Sequence, residues 1–252
     1  MNSRHVVEKF HLVFLRHFAP LVSPGTICLK GGVNLRLYHQ SPRLSEDMDF
    51  DARVVGVEIL KKNVNKVLAG RPLQTELSAA GISLGEIKPA KQTPTVQRWK
   101  LHVLCQDQSI PTRLEFSRRG DEEFEGCGVE KPSPTLLAEH RVVPFVFNRY
   151  VAGAACRQKV HALAARTLVQ ARDVFDLYHL APFAAAANDV PREILQRAME
   201  QLELITFEMF MGQVVPFLPP DLAAHHGTPG SWKAMMQEVR AHLAAAAQEF
   251  RP

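Results

Sequence analysis

The chain reads as an α+β protein, with a mixed β-sheet and flanking helices in its first part and a helical C-terminal half. Three observations predict this. Between Ile82 and Ser117 the segments TVQRWKLHVLC and IPTRLEFSR alternate polar and apolar residues with the period of a strand. Apolar positions at helical spacing precede them, over Val6 to Phe18 and again over Glu58 to Leu68. Past Pro144 the composition shifts to Ala, Leu, Arg and Glu, which predicts helices within Ala152 to Leu180, Pro191 to Phe210 and Ser231 to Phe250.

The elements follow in order. After the first helix, Pro20 to Gly25 interrupts the pattern, and the apolar run Thr26 to Leu29 reads as a short buried strand. Gly31 and Gly32 then open a helix over Val33 to Tyr38. A strand carrying aspartates at alternate positions comes after Ser41-Pro42, and ISLGEI joins the two alternating segments in extending one sheet. The prolines of KPSPT and VVPFV, between residues 131 and 150, mark a boundary. Residues 1–140 are expected to form the α/β domain and 141–252 the helical one. The runs Ala184 to Ala187 and Ala244 to Ala247 are ordinary helix surface.

The 252 residues suffice for a sizeable core, and 46% apolar with 22% charged residues excludes disordered and membrane classes. A formal charge of +4 permits an anionic partner without amounting to a nucleic-acid coat. Cys28, Cys105, Cys127 and Cys156 form no CxxC pair and are expected to be reduced thiols. The first residues carry charges within their apolar stretch and lack a signal-peptide pattern, and no segment has the length of a membrane span. A cytoplasmic protein with no membrane partner is expected.

Chemistry concentrates in Leu29 to Asp51, LKGGVNLRLYHQSPRLSEDMDFD. On a strand, Asp47, Asp49 and Asp51 share one face while Met48 and Phe50 enter the core. Carboxylates so close repel one another, and a hard divalent cation bridging to substrate phosphates is the usual way that charge is used. The run therefore suggests a metal-assisted phosphoryl-transfer site. Glycine lets backbone amides approach an anion, and a helix start adds partial positive charge. Taken alone, the glycines equally suit a tight turn needing positive φ, and the acids a solvated strand edge.

Glu115 offers another carboxylate from a separate strand, because Arg113, Glu115 and Ser117 alternate with Leu114 and Phe116. In QKVHALAARTLVQARDVFDLYHL, Lys159 and Arg166 stand seven apart on one helix face, followed by Arg172, Asp173 and Asp176. That stripe suits a triphosphate, or a surface helix with its own ion pairs. One of the two aspartates is expected to hold Lys159 or Arg166 while the other caps or pairs locally, and spacing does not say which. His161, His225 and His226 lack metal-ligand spacing. Trp99 and Trp232 read as packing residues.

Together these pieces resemble the AbiEii/AbiGii-type nucleotidyltransferase toxins, a branch of the polymerase-β-like nucleotidyltransferase superfamily. LKGGVNLRL resembles the family's KGG-containing opening, RLSEDMDFD its R-x-S-x-D-x-D core, and KVHALAAR with RDVFDL its C-terminal Lys and Asp motif. The resemblance covers about Leu29 to Leu180. It implies that residues 1–140 are a nucleotidyltransferase-like domain and that the helical domain completes the active-site cleft. It further implies that Gly31 and Gly32 cradle phosphate, with Arg43, Ser45 and Arg166 also on the nucleotide. Asp47 and Asp49 are then the catalytic metal ligands, Glu115 the third acid and metal ligand, and Lys159 and Asp173 catalytic groups. Asp51 is a bystander. Val33 departs from the usual Ser or Thr after the glycines, and the Asn34 amide is expected to donate in the hydroxyl's place.

The implied activity is Mg²⁺- or Mn²⁺-dependent transfer of a nucleoside monophosphate from an NTP to an acceptor hydroxyl. The acceptor implied is RNA, a tRNA 3′ end, and the role that of a toxin with a separate antitoxin protein. The alternatives are a catalytically silent nucleotide- or RNA-binding module of the same fold, and a protein-modifying, AMPylation-like enzyme.

Overall fold

The computed structural model describes residues 3–118 and 124–249. It divides into two compact units, one of Met1–Gln40 with Leu44–Tyr150 and one of Ser41–Arg43 with Val151–Pro252.

The first unit holds a mixed sheet in the order β3-β4-β5-β2-β1-β7-β6. Its strands are β1 (Ile27–Lys30), β2 (Asp47–Ala52), β3 (Ile82–Gln92), β4 (Val96–Cys105), β5 (Gln108–Arg118), β6 (Cys127–Glu130) and β7 (Phe147–Tyr150). β2 runs antiparallel to β1 and parallel to β5, so it lies inside the sheet. Its alternation sends Met48 and Phe50 fully into the core. There Phe50 stacks on Phe116 of β5 with ring centroids 4.5 Å apart.

That core is closed by α1 (Ser3–Phe18), whose Phe10, Phe14 and Phe18 recur every four residues and form one apolar ridge. Phe18 meets the edge of both Phe50 and Phe116. Helices α2 (Gly31–Tyr38), α3 (Val57–Leu68), α4 (Arg71–Ser78) and α5 (Pro134–Glu139) complete the unit. α1 is buried on its polar positions too. Glu8 accepts from Arg36 and pairs with His140, and the Lys9 ammonium donates to the His140 carbonyl. Burial pushes the Glu8 carboxyl up, but His140 and Arg36 outweigh it and hold it at about 2. The Thr112 hydroxyl donates to the Glu46 carbonyl and so accepts from His11 Nε2, which lies 3.1 Å away. Burial lowers the His11 pKa to about 3, keeping the ring neutral.

The second unit is helical, as the composition predicts: α6 (Ala152–Ala165), α7 (Ala171–His179), α8 (Arg192–Leu202), α9 (Phe207–Gln213), α10 (Pro220–His226) and α11 (Pro229–Glu249). The expected stretch Ala152 to Leu180 is broken between α6 and α7, and the C-cap Arg166 is extended. Pro191 to Phe210 is likewise two helices, the second capped by the Thr206 hydroxyl accepting from the Met209 amide. Phe250, the expected end of the last helix, lies outside the described residues.

Residues 131–150, expected to mark a boundary, hold α5 and strand β7, and the division into units falls after Tyr150, at the end of that stretch. A four-residue strand among prolines is too short to show periodicity. α4 was not expected, although Pro72 in its first turn is a helix-start signal. The four cysteines are not all reduced thiols: Cys28 and Cys127 form a disulfide with Cα atoms 6.5 Å apart, while Cys105 and Cys156 are free and buried. The sheet brings together residues 99 apart in sequence, which no spacing motif announces. Cysteine usage therefore gives no argument for a reducing compartment.

Candidate active site

β1 delivers the chain to a turn that only glycine makes easily. Gly31 has φ +71°, and a Cβ there would stand 3.1 Å from Asp49 Oδ2, so the carboxylate lies against the turn. Lys30 is the N-cap of α2, and its side chain caps no amide of the first turn. Val33 is buried in the core. Asn34 is fully buried, and its Nδ2 donates to the Tyr150 carbonyl at 3.0 Å. The expected replacement for the missing hydroxyl thus meets a different arrangement, in which the Asn34 amide ties α2 to β7.

The acids come from two parallel neighbours. Along β2 and β5, Asp47 stands opposite Arg113, Asp49 opposite Glu115 and Asp51 opposite Ser117, all on one face. Arg113 pairs with Asp47 at 2.7 Å, and Arg98 of β4 donates to Glu115 at 2.6 Å. Asp47 and Glu115 keep 29% and 19% of their side-chain surface exposed, so these ion pairs are open to exchange with solvent and ligand. Asp51 differs. It is buried, accepts from the Lys30 ammonium, and accepts from the Tyr150 hydroxyl at 3.0 Å, which gives it a structural post. The Ser45 hydroxyl donates to the Asp47 carbonyl and shapes the entry to β2.

The helical unit concentrates its charges in one buried network. Asp173 accepts from Lys159 at 3.2 Å and from the Arg166 guanidinium, and Asp176 pairs with Lys159 at 2.6 Å. Arg43, which belongs to this unit, clamps Asp176 through Nε and Nη2 at 3.1 and 3.0 Å. Both aspartates are fully buried. Burial by itself raises their pKa values. For Asp173 the charges of Lys159 and Arg166 outweigh it, and for Asp176 those of Arg43 and Lys159, so both carboxyls stay below their usual range. The question left open by spacing is answered: Asp173 holds both Lys159 and Arg166, and Asp176 shares Lys159 with Arg43. Arg43, expected on the nucleotide, is thus engaged in a bidentate pair at 5% exposure.

A sequence profile described as "Nucleotidyl transferase AbiEii toxin, Type IV TA system" matches residues 13–251. The chain belongs to the AbiEii nucleotidyltransferase toxin family. Solved structures carry the same fold. JHP933 from Helicobacter pylori is 18% identical with a TM-score of 0.59, over 99% of this chain and 94% of that one. MenT4, a nucleotidyltransferase toxin of Mycobacterium tuberculosis H37Rv, is 17% identical with a TM-score of 0.60, over 98% of this chain and 86% of that one. No curated protein matches the chain significantly. The AbiEii fold, in the polymerase-β-like superfamily, is consistent with nucleoside monophosphate transfer. Among the described residues no helix is long and apolar enough to cross a membrane.

AbiEii membership implies metal-dependent catalysis in general. Among the described residues no three His, Cys, Asp or Glu side chains stand close enough together to share an ion. The donor set nonetheless suits a hard divalent cation: Asp47, Asp49 and Glu115 are oxygen ligands on adjacent register positions, and two of them hold half-buried arginines that a cation can replace. Sequence reading missed Arg113 as the partner of Asp47, Arg98 as that of Glu115, and Lys30 and Tyr150 as those of Asp51. Arg98 lies in an alternating segment, so its face was legible, but its register against Glu115 was not.

Proposed function

We propose that this protein transfers a nucleoside monophosphate from an NTP to a hydroxyl of an RNA acceptor, a tRNA 3′ end in particular, as the toxin partner of a separate antitoxin protein. One observation carries the reading: Asp47 and Asp49 share a strand face with Glu115 in register beside Asp49, and the Asp49 carboxylate lies against the Gly31 turn. Phosphate oxygens at the first-turn amides of Gly31 and Gly32 bring the reacting phosphorus next to Asp49. Asp47 and Asp49, with Glu115, would hold Mg²⁺ or Mn²⁺. When bound, the cation lowers the acceptor hydroxyl's pKa and neutralises charge on the departing pyrophosphate.

The acceptor oxygen forms its bond to the α-phosphorus as the bond to pyrophosphate breaks, so the chain's work is positioning and electrostatics. Arg113 and Arg98, displaced from the acids, are donors for the triphosphate. In the helical unit Asp173 holds Lys159 and Arg166 in one orientation, as cationic donors suited to phosphate oxygens. The test is incubation of purified protein with each labelled NTP, Mg²⁺ or Mn²⁺ and total RNA. Label in RNA that is lost on Asp49→Asn supports the proposal. No label with any NTP, and no cation-dependent NTP binding by calorimetry, overturns it.

The Arg113–Asp47 and Arg98–Glu115 pairs favour a second reading, a silent nucleotide- or RNA-binding module whose acids are permanently neutralised. NTP binding without turnover distinguishes it. Label from ATP appearing on lysate proteins instead of RNA points to the AMPylation-like alternative.

A further inference from the structure

The sheet face that carries the acids continues outward as a row of cations. On β4, Arg98 stands opposite Glu115 and Lys100 opposite Arg113. On β3, Lys91 stands opposite Arg98 and Lys88 opposite Lys100. Two cross-strand rows result: Lys88, Lys100, Arg113 and then Asp47, and beside it Lys91, Arg98, Glu115 and then Asp49. Lys88, Lys91 and Lys100 are exposed, whereas Gln97, Trp99, Leu101 and Val103 point to the buried side. Neighbouring strands lie roughly 4.8 Å apart, so each row is a line of closely spaced charges ending at a candidate metal ligand.

Two features make this more than a solvated surface. Lys88 and Lys91 are three residues apart and in a regular strand would face opposite ways. A register shift between them, at Pro89 and Ala90, turns both to the side of Arg98 and Lys100. Lysines on an edge strand also deter strand addition, and that explains Lys88 and Lys91 but not Lys100, Arg98 and Arg113 further in. Like charges directly opposite each other weaken a sheet, and here Lys88–Lys100, Lys100–Arg113 and Lys91–Arg98 are all such pairs. Glu86 pairs with Lys88, but Lys91 and Lys100 make no ion pair among the described residues.

We infer that this face of β3 and β4 binds the phosphate backbone of the RNA acceptor and leads its reactive end to Asp47 and Asp49, an inference that rests on the proposed transfer to RNA. The phosphates screen the like-charged pairs and release counterions. The one tryptophan of these strands, Trp99, is fully buried on the other face, so bases gain no indole platform and recognition is of backbone, with little sequence preference.

The experiment compares binding of a fluorescent single-stranded RNA to the wild-type chain, to Lys88→Gln/Lys91→Gln/Lys100→Gln, and to a control, Lys61→Gln/Lys62→Gln/Lys66→Gln. The control removes the same charge from α3, which packs on the opposite face through the Trp99 Nε1 to Asn65 Oδ1 hydrogen bond. The face variant is expected to bind about tenfold or more weakly and to lose about two from the salt slope, the share of three phosphate contacts on a single strand. The control is expected to bind within about twofold of wild type, and thermal melts to coincide, as for surface substitutions. No RNA binding by wild type, unchanged binding by the face variant, or equal loss in both variants overturns the inference. Preference for poly-glutamate over RNA of equal charge assigns the face to an acidic protein and overturns it too. The function and the inference fail separately. RNA bound through these lysines without nucleotide transfer sinks only the function, whereas transfer with an unchanged KM for RNA in the face variant sinks only the inference.

Discussion

The chain holds two sets of carboxylates paired with basic side chains, and burial sets them apart. Asp47 and Glu115 lie partly exposed on the sheet, each against an arginine that water also reaches. Asp173 and Asp176 are fully buried among Lys159, Arg166 and Arg43. An exposed ion pair contributes little to stability and is easily exchanged, while breaking a buried one strands a charge without solvent. The first set is built to give its partners up, and the second to keep them.

The strongest way to break that comparison is Asp176→Ala. It leaves Arg43 and Lys159 buried beside a lost partner and should cost about 3–5 kcal/mol in urea unfolding. A change within about 1 kcal/mol would put the network in the exposed class. Next comes Asp49→Asn, expected to lower transfer activity roughly 100-fold or more, as removal of one electrostatic partner of a reacting centre does. Asp47→Asn should act similarly while shifting stability by less than about 1 kcal/mol, because the Arg113 pair it weakens is partly open to solvent. A parallel fall in stability and activity would make these acids structural.

Acid titration sharpens the contrast. The folded pKa of His11, about 3, lies below its ordinary value of 6.5, so the unfolded chain takes up that proton first. The stability that neutral His11 contributes is therefore full above pH 6.5 and falls from there toward pH 3. Asp173 and Asp176 are held below 3.8, so their contribution is intact above that pH and is lost only beneath it. Trp99 reports on the first unit and Trp232 on the second. With the other tryptophan replaced by Phe, Trp99 emission should shift at higher pH than Trp232 emission, and coincident transitions would refute the difference. The smallest effect expected is that of Asn65→Ala, which removes the partner of Trp99 Nε1 and should cost about 1 kcal/mol without touching activity.

Legibility followed the range of the interaction that decides each feature. Periodicity placed α1, α3, β2, β4 and β5, because each presents a repeating apolar face. β7 and α5 escaped it, being too short to repeat. The Gly31 turn and the alternation of Asp47, Asp49 and Glu115 were readable for the same local reason. The fate of Asn34 and Arg43 was not: Asn34 finds Tyr150 116 residues on, and Arg43 finds Asp176 133 residues on.

By itself, then, the sequence determined which side chains share a strand face, and hence that acids gather on β2, since this follows from backbone geometry within a few residues. Only the tertiary structure decided which charge meets which. It paired Arg113 and Arg98 with the acids, turned Asn34 and Arg43 inward, and joined Cys28 to Cys127. Strand order and register are set by the whole core at once, and no local window contains them.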